Sequence, residues 1–252
     1  MKIFIIAKNT FREAIRDRIL YAILGFAFLF IVSTIFFGSL SLGEDLKIIR
    51  DFGLAGIYIF GLIITIFLGT SLIYKEIEKR TIYTVLSKPV SPRDFIFGKF
   101  LGLFLSISLT IILMAAVYII VVAAKGGGFD SRGLLAITYQ LFETMVFISL
   151  TIMFSSFTRP FAAMIYSILI VFIGHSLSLL TKYGDKTGGV FKYLSVILYY
   201  ALPNLEKFNI RNLVVHSGSI TLSQTGLAFL YAILYSAILL ILANSALKRQ
   251  EF

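Results

Sequence analysis

The sequence predicts an all-α membrane protein of six transmembrane helices, with an N-terminal amphipathic interfacial helix before them and an external re-entrant or surface helical segment between spans five and six. Three observations predict it. Of the 252 residues 58% are hydrophobic and 14% charged, with a mean hydropathy of +0.93, more apolar surface than a soluble core of this length can bury. The apolar residues come in six long blocks, matching the ~20 helical residues that a hydrocarbon core about 30 Å thick demands. Charge is kept out of those blocks: none of the 23 Lys and Arg residues falls inside them, and of the 13 acids only Glu143 does.

In chain order, residues 1–18 place Phe4, Ala7, Phe11, Ala14 and Ile15 at helical spacing and Lys8, Arg12, Arg16 and Asp17 on the other side, the pattern of an amphipathic helix lying in the inner interface. The apolar stretch after it is too long for a signal peptide and has no clear small-residue cleavage site, so the segment is expected to stay attached. The six spans are 19–42, 52–74, 100–124, 134–158, 161–180 and 226–247. All four prolines (Pro89, Pro92, Pro160 and Pro203) lie outside them, where a missing N–H does no harm. Residues 190–202 are apolar but contain Lys192 and are too short to cross, so they read as a re-entrant or surface helix within an external segment, 181–225. Thr221 with Gln224 forms a capping pattern ahead of span six.

Six spans put both termini on one side. With that side inside, fourteen of the 23 basic residues are cytoplasmic, and five of the rest sit in the long 181–225 segment, where the positive-inside rule carries less weight. Both termini are therefore expected in the cytoplasm of an inner-membrane, multi-pass protein. The net charge of +10 is explained by this topology and calls for no nucleic acid.

The connection between spans two and three, residues 75–99, is the longest on the inner side and the most densely charged part of the chain. Lys75 to Ser87 can be helical until Pro89 stops it. A new helix is expected from Ser91: serine as N-cap, Pro92 at the first helical position, Asp94 at N3. Span three would thus begin as a rigid rod outside the bilayer, able to carry a push from a soluble partner into the bundle.

Glu76, Glu78, Arg80, Thr81, Leu86, Ser87, Lys88, Pro89, Val90, Arg93, Gly98 and Lys99 resemble the E-x-E-x-x-T...L-S-x-P-V-S-x-R...G-K signature of the permease subunits of type-two ATP-binding cassette (ABC) transporters. The similarity is to the branch that includes copper-enzyme-maturation and sodium or antibiotic export permeases. The chain has Arg80-Thr81 where the family usually has Gly-Thr, and Pro92 is inserted before Arg93. Tyr200 to Phe208 is also similar to a segment often seen in that family. The resemblance implies a single permease domain over 1–252 that forms a dimer of permeases, with a second copy as a homodimer or with a similar chain, each docked on a separate ABC ATPase subunit, with membrane lipid around it and room for accessory proteins. On the same resemblance 75–97 contain a cytoplasmic coupling helix, with Glu76, Glu78, Arg80, Thr81, Leu86, Ser87, Lys88, Pro89 and Arg93 as contacts. The Ser155–Pro160 turn with Arg159 is a second contact. Export is the implied direction.

No catalytic constellation is visible. Gly98-Lys99 is no phosphate loop, because position 93 is arginine and Phe100 replaces the hydroxyl residue, so ATP and Mg2+ belong on the partner subunit and no cofactor is expected in this chain. With no cysteine, and with His175 and His216 as its two histidines, the chain lacks the ligands of an ordinary metal site or a thiol nucleophile. The candidate intramembrane site is a polar stripe on span four. Glu143, about 14 Å along the helix from Leu134, is expensive in hydrocarbon and must face the bundle or a cavity, with Gln140, Thr144, Thr151 and Ser155 near its face. His175 on span five stands at a depth where the two groups could meet. A substrate path, a proton site and an interhelical hydrogen bond all fit this pattern. An autonomous channel or proton-coupled carrier using Glu143 is the alternative function. Gly98-x-x-x-Gly102 and the glycines of span two read as close helix packing, and Tyr183, Tyr193, Tyr199 and Tyr200 as an outer aromatic belt.

Overall fold

The computed structural model describes residues 2–41, 43–78, 91–216, 218 and 220–249. Among them are helices α1 (Lys2–Ile15), α2 (Arg18–Ser39), α3 (Asp45–Glu78), α4 (Pro92–Ala124), α5 (Ser131–Ser155), α6 (Pro160–Thr187), α7 (Gly189–Ala201), a 3-10 turn (Leu205–Phe208), α8 (Arg211–Val215) and α9 (Leu222–Arg249), with no strand. Six of them, α2 to α6 and α9, are long and apolar enough to cross a membrane, in agreement with the six expected spans.

The helix ends follow local chemistry. Asp17, in extended backbone, accepts from the Ile19 N–H at 3.0 Å and separates α1 from α2. Ser91 and Asp94 form the expected reciprocal capping box, with Pro92 at the first helical position. Thr221 and Gln224 form another before α9. α6 begins at Pro160 and runs past residue 180 to Thr187, two turns beyond the apolar stretch. It ends where Gly188 and Gly189 both take positive φ, 70° and 60°, a conformation that L side chains resist.

α5 is the axis of the bundle: 72% of its apolar window is buried, against 22% for α2 at the periphery. α3, α4, α6 and α9 pack around it. α3 approaches its neighbours through glycines. A Cβ on Gly53 would stand 2.6 Å from the Tyr118 ring, and one on Gly56 2.6 Å from the Phe30 ring. At the end of the bundle away from the chain termini, a buried clasp joins three spans. Tyr118 Oη donates to Asp130 Oδ2 (2.5 Å), Arg50 Nε lies 3.4 Å from the same oxygen, and the Gly133 N–H donates to Asp130 Oδ1 (3.1 Å).

α1 packs along the start of α4, and its apolar side divides between this contact and the outside of the bundle. Ala7, Thr10 and Ala14 are buried, whereas Phe4 is 74% exposed. The reason lies in α4, where Gly98 comes against Ile6 and Gly102 against the Ala7 carbonyl and Thr10. Backbones that approach so closely admit small residues and exclude a phenyl ring. Lys99, itself buried, lies 3.7 Å from Glu13 Oε2 and ties the two helices further.

The 181–225 segment folds back on the bundle as a hairpin. From the glycine pair, α7 turns back along the last turns of α6, with Gly184 against Ser195 and Lys192 Nζ 3.2 Å from Asp185 Oδ1. Its 13 residues reach about 20 Å. The chain then stands level with the middles of α6 and α9: Pro203 and Leu205 abut Gly174, the Asn204 N–H donates to Tyr231 Oη (2.8 Å), and Tyr235 Oη donates to the Ala201 carbonyl (3.0 Å). The 3-10 turn and α8 then lead back toward the start of α9.

Candidate functional site

Glu143 stands at the midpoint of α5 and is 2% exposed. An ionisable group so enclosed between apolar helices requires polar partners, and three elements supply them. His175 on α6 brings Nε2 to 2.8 Å from Glu143 Oε1. Tyr58 on α3 places its hydroxyl 2.7 Å from the same ring nitrogen and donates to Glu143 Oε1 at 3.4 Å. The re-entrant segment completes the group. Glu206 Oε2 lies 3.4 Å from His175 Nδ1, and the Arg211 guanidinium stacks 3.7 Å from the centre of the Tyr58 ring. Asn209 holds both ends of this segment, its Nδ2 donating to Glu206 and its Oδ1 accepting from Arg211 Nε (3.1 Å).

The imidazole thus bridges a buried carboxylate and a partly exposed one, a geometry that suits a ring carrying a proton on each nitrogen. With both ring nitrogens protonated, Nε2–H donates to Glu143 and Nδ1–H to Glu206, while Tyr58 donates to Glu143.

Of the four residues expected at the intramembrane site, Glu143 and His175 meet. Gln140 and Thr144 are spent on backbone: Gln140 Nε2 donates to the Ile57 carbonyl (2.9 Å), and Thr144 Oγ1 donates to the Gln140 carbonyl (2.8 Å). Gln140 fills the space over Gly61, where a Cβ would stand 2.7 Å from its Nε2, so it acts as a packing and hydrogen-bonding residue between α5 and α3. Thr151 Oγ1 is likewise used within its own helix, on the Ile148 carbonyl. Sequence reasoning missed Tyr58, Glu206 and Arg211. Glu206 lies inside the 200–208 segment noted for its resemblance, but its pairing with α6 needs the hairpin to fold inward, which no spacing announces.

The other candidate region lies at the opposite end of the bundle. α3 continues without a break through Lys75 to Glu78, so Glu76 and Glu78 fall on its last turn. Arg80, Thr81, Leu86, Ser87, Lys88 and Pro89 lie outside the described residues. α4 starts eight residues before Phe100, with Arg93 exposed in its first turn. The turn between Ser155 and Pro160 joins α5 to α6, and its Arg159 is exposed, in extended backbone at the N-cap of α6. α1, α4 and the end of α3 therefore gather at one end, the end that also carries the α5–α6 turn. Among the described residues no cluster of three or more His, Cys, Asp or Glu side chains has the geometry of a metal site.

A comparison with curated proteins finds no match. A family model described as "ABC-2 family transporter protein" matches residues 4–252. Nearly the whole chain, including the six spans, both ends of the bundle and the re-entrant segment, falls within that match, and the chain belongs to the ABC-2 family as a multi-pass permease subunit of an ABC transporter, a class that works with an ABC ATPase subunit.

Proposed function

We propose that the protein is the membrane half of an ATP-driven exporter of the copper-enzyme-maturation and sodium or antibiotic export branch. In this reading two copies of the chain form the permease. Each rests on a separate ATPase subunit that binds ATP and Mg2+ and does all the catalysis, and both termini and the 75–99 connection face the cytoplasm. The observation that carries the reading is the build of α4. It is one 33-residue helix, about 50 Å long, fixed at its start by the Ser91–Asp94 capping box and braced there by α1. Force applied near Pro92 travels along such a rod into the centre of the bundle, where α4 touches α3 and α5, whereas a loose connection would dissipate it. The unbroken run of α3 to Glu78 supplies the second arm of the elbow.

The test is charge reversal on that elbow. When the chain is purified with its ATPase, Glu76→Lys with Glu78→Lys is expected to weaken the association by about tenfold or more, the equivalent of a lost charged contact at an interface, while the variant still inserts in the membrane. An ATPase that stays bound and fully coupled to the double variant, or that never copurifies with the wild-type chain, refutes the proposal.

A second reading, an autonomous proton-coupled carrier, draws on the Glu143–His175–Glu206 bridge. It requires the chain alone to dissipate a proton gradient across proteoliposomes without ATP, and Glu143→Gln to abolish that flux.

A further inference from the structure

Between α9 and the re-entrant segment lies an open groove of about 640 Å³, floored by Ile210, Leu227, Leu230 and Leu234 and flanked by Tyr139 and Tyr231. Its polar members are Lys207 and Gln224, and among its described lining residues there is no carboxylate. Glu206, beside Lys207 in sequence, turns the other way to His175 and Asn209. Lys207 Nζ stands 4.4 Å over the Tyr231 ring and makes no ion pair among the described residues. An exposed cation held over a ring beside an apolar groove offers its charge to an anionic ligand that lies in the groove.

Depth identifies the kind of ligand. Lys248 marks one edge of the hydrocarbon on α9, and about 20 helical residues from it place the opposite edge near Ala228. The groove straddles that edge, from Gln224 about one turn outside it to Leu234 about two turns inside it. Lys207, level with Tyr231, lies within a lysine stem's reach of the headgroups. An amphiphile with an anionic head and apolar tails meets all of these conditions at once.

We infer that the groove formed by α9 and the Leu205–Val215 segment is a binding site for an anionic phospholipid of the leaflet on the re-entrant side, with its phosphate on Lys207 and an acyl chain running inward past Leu230 and Leu234. The inference is independent of ATP coupling and needs only that α9 spans the bilayer.

The chain has no tryptophan, so Leu230→Trp in the full-length protein gives a single fluorescent reporter at the groove. Leu230 is 52% exposed and tolerates the change, and Leu227→Trp, at 64%, serves as a second reporter. The protein is reconstituted in phosphatidylcholine with graded phosphatidylglycerol, and either lipid carries brominated, quenching acyl chains. Phosphatidylglycerol is expected to compete for the reporter about fivefold better than phosphatidylcholine, the factor that one lysine contributes toward anionic lipid. Lys207→Gln should bring that ratio to unity, and Phe172→Trp, on the exposed face of α6, should show no preference throughout. A ratio of unity at the groove reporters overturns the inference. So does a preference that survives Lys207→Gln or is matched at Phe172→Trp, or the absence of any quenching, which would mean that a second copy or another protein covers the groove.

Discussion

At the scale of single residues, the bridge of Tyr58, Glu143, His175 and Glu206 combines groups that a bilayer interior would reject singly. His175→Ala leaves the Glu143 carboxylate with Tyr58 as its remaining donor at 3.4 Å. The expected cost is about 1–3 kcal/mol, the range for a buried polar group stripped of a partner, read as a lower thermal midpoint of the purified protein. Glu143→Gln keeps an acceptor oxygen for the ring and removes the charge, so its expected cost is under about 1 kcal/mol. If the glutamine variant falls as far as the alanine one, the carboxylate's charge is itself a structural requirement. Glu143 was legible in the sequence because it is the sole acid in the apolar blocks, and His175 because it shares their company. Tyr58 was not, since a tyrosine in an apolar span is ordinary until a carboxylate lies beside its hydroxyl. The clasp of Arg50, Asp130 and Tyr118 went unnoticed in the sequence, because pairing across three helix ends leaves no periodic trace.

At the scale of elements, the expected spans and both capping boxes are present, since hydropathy and capping are local physics. The face that α1 buries was not legible. Hydrophobic spacing ranks Phe4 with Ala7, but the α1–α4 contact selects by size, and the cause lies 90 residues away at Gly98 and Gly102. A Cβ on Gly102 would lie 2.5 Å from the Ala7 carbonyl oxygen, a backbone atom that cannot swing aside. Gly102→Ala is therefore expected to lever α1 off α4 at a cost of about 1–3 kcal/mol despite the better helix propensity of alanine. The readout is a Thr10→Cys thiol, buried at 1% exposure in the parent, which should react with maleimide markedly faster when Gly102→Ala is added. Gly226→Ala in α9, where no atom lies within 4 Å of the new Cβ, is the control and should be neutral or stabilising by up to about 1 kcal/mol. Equal thiol rates in the Gly102→Ala and Gly226→Ala backgrounds would show that the glycine pair does not seat α1.

At the scale of the whole molecule, the two ends of the bundle differ in chemistry. One gathers α1, the start of α4, the end of α3 and the α5–α6 turn, rich in lysine and arginine. The other carries the Arg50–Asp130–Tyr118 clasp and the re-entrant hairpin, where apolar α7 faces outward with Val190 and Tyr193 more than 70% exposed. The hairpin's inward course brings Glu206 to His175 and Arg211 to Tyr58, so that side supplies two of the polar groups around Glu143. If the basic end is cytoplasmic, as the distribution of lysine and arginine predicts, the elbow proposed to receive force lies on the inner side, about half a bilayer from Glu143. The chain has no native cysteine, which makes the orientation directly measurable. Ser91→Cys, exposed at the start of α4, should react with a membrane-impermeant maleimide only after cells are permeabilised, and Ser131→Cys, exposed at the start of α5, should react in intact cells. The reverse pattern would turn the elbow outward, away from any ATP-hydrolysing partner, and would leave α4 as a packing element with no force to transmit.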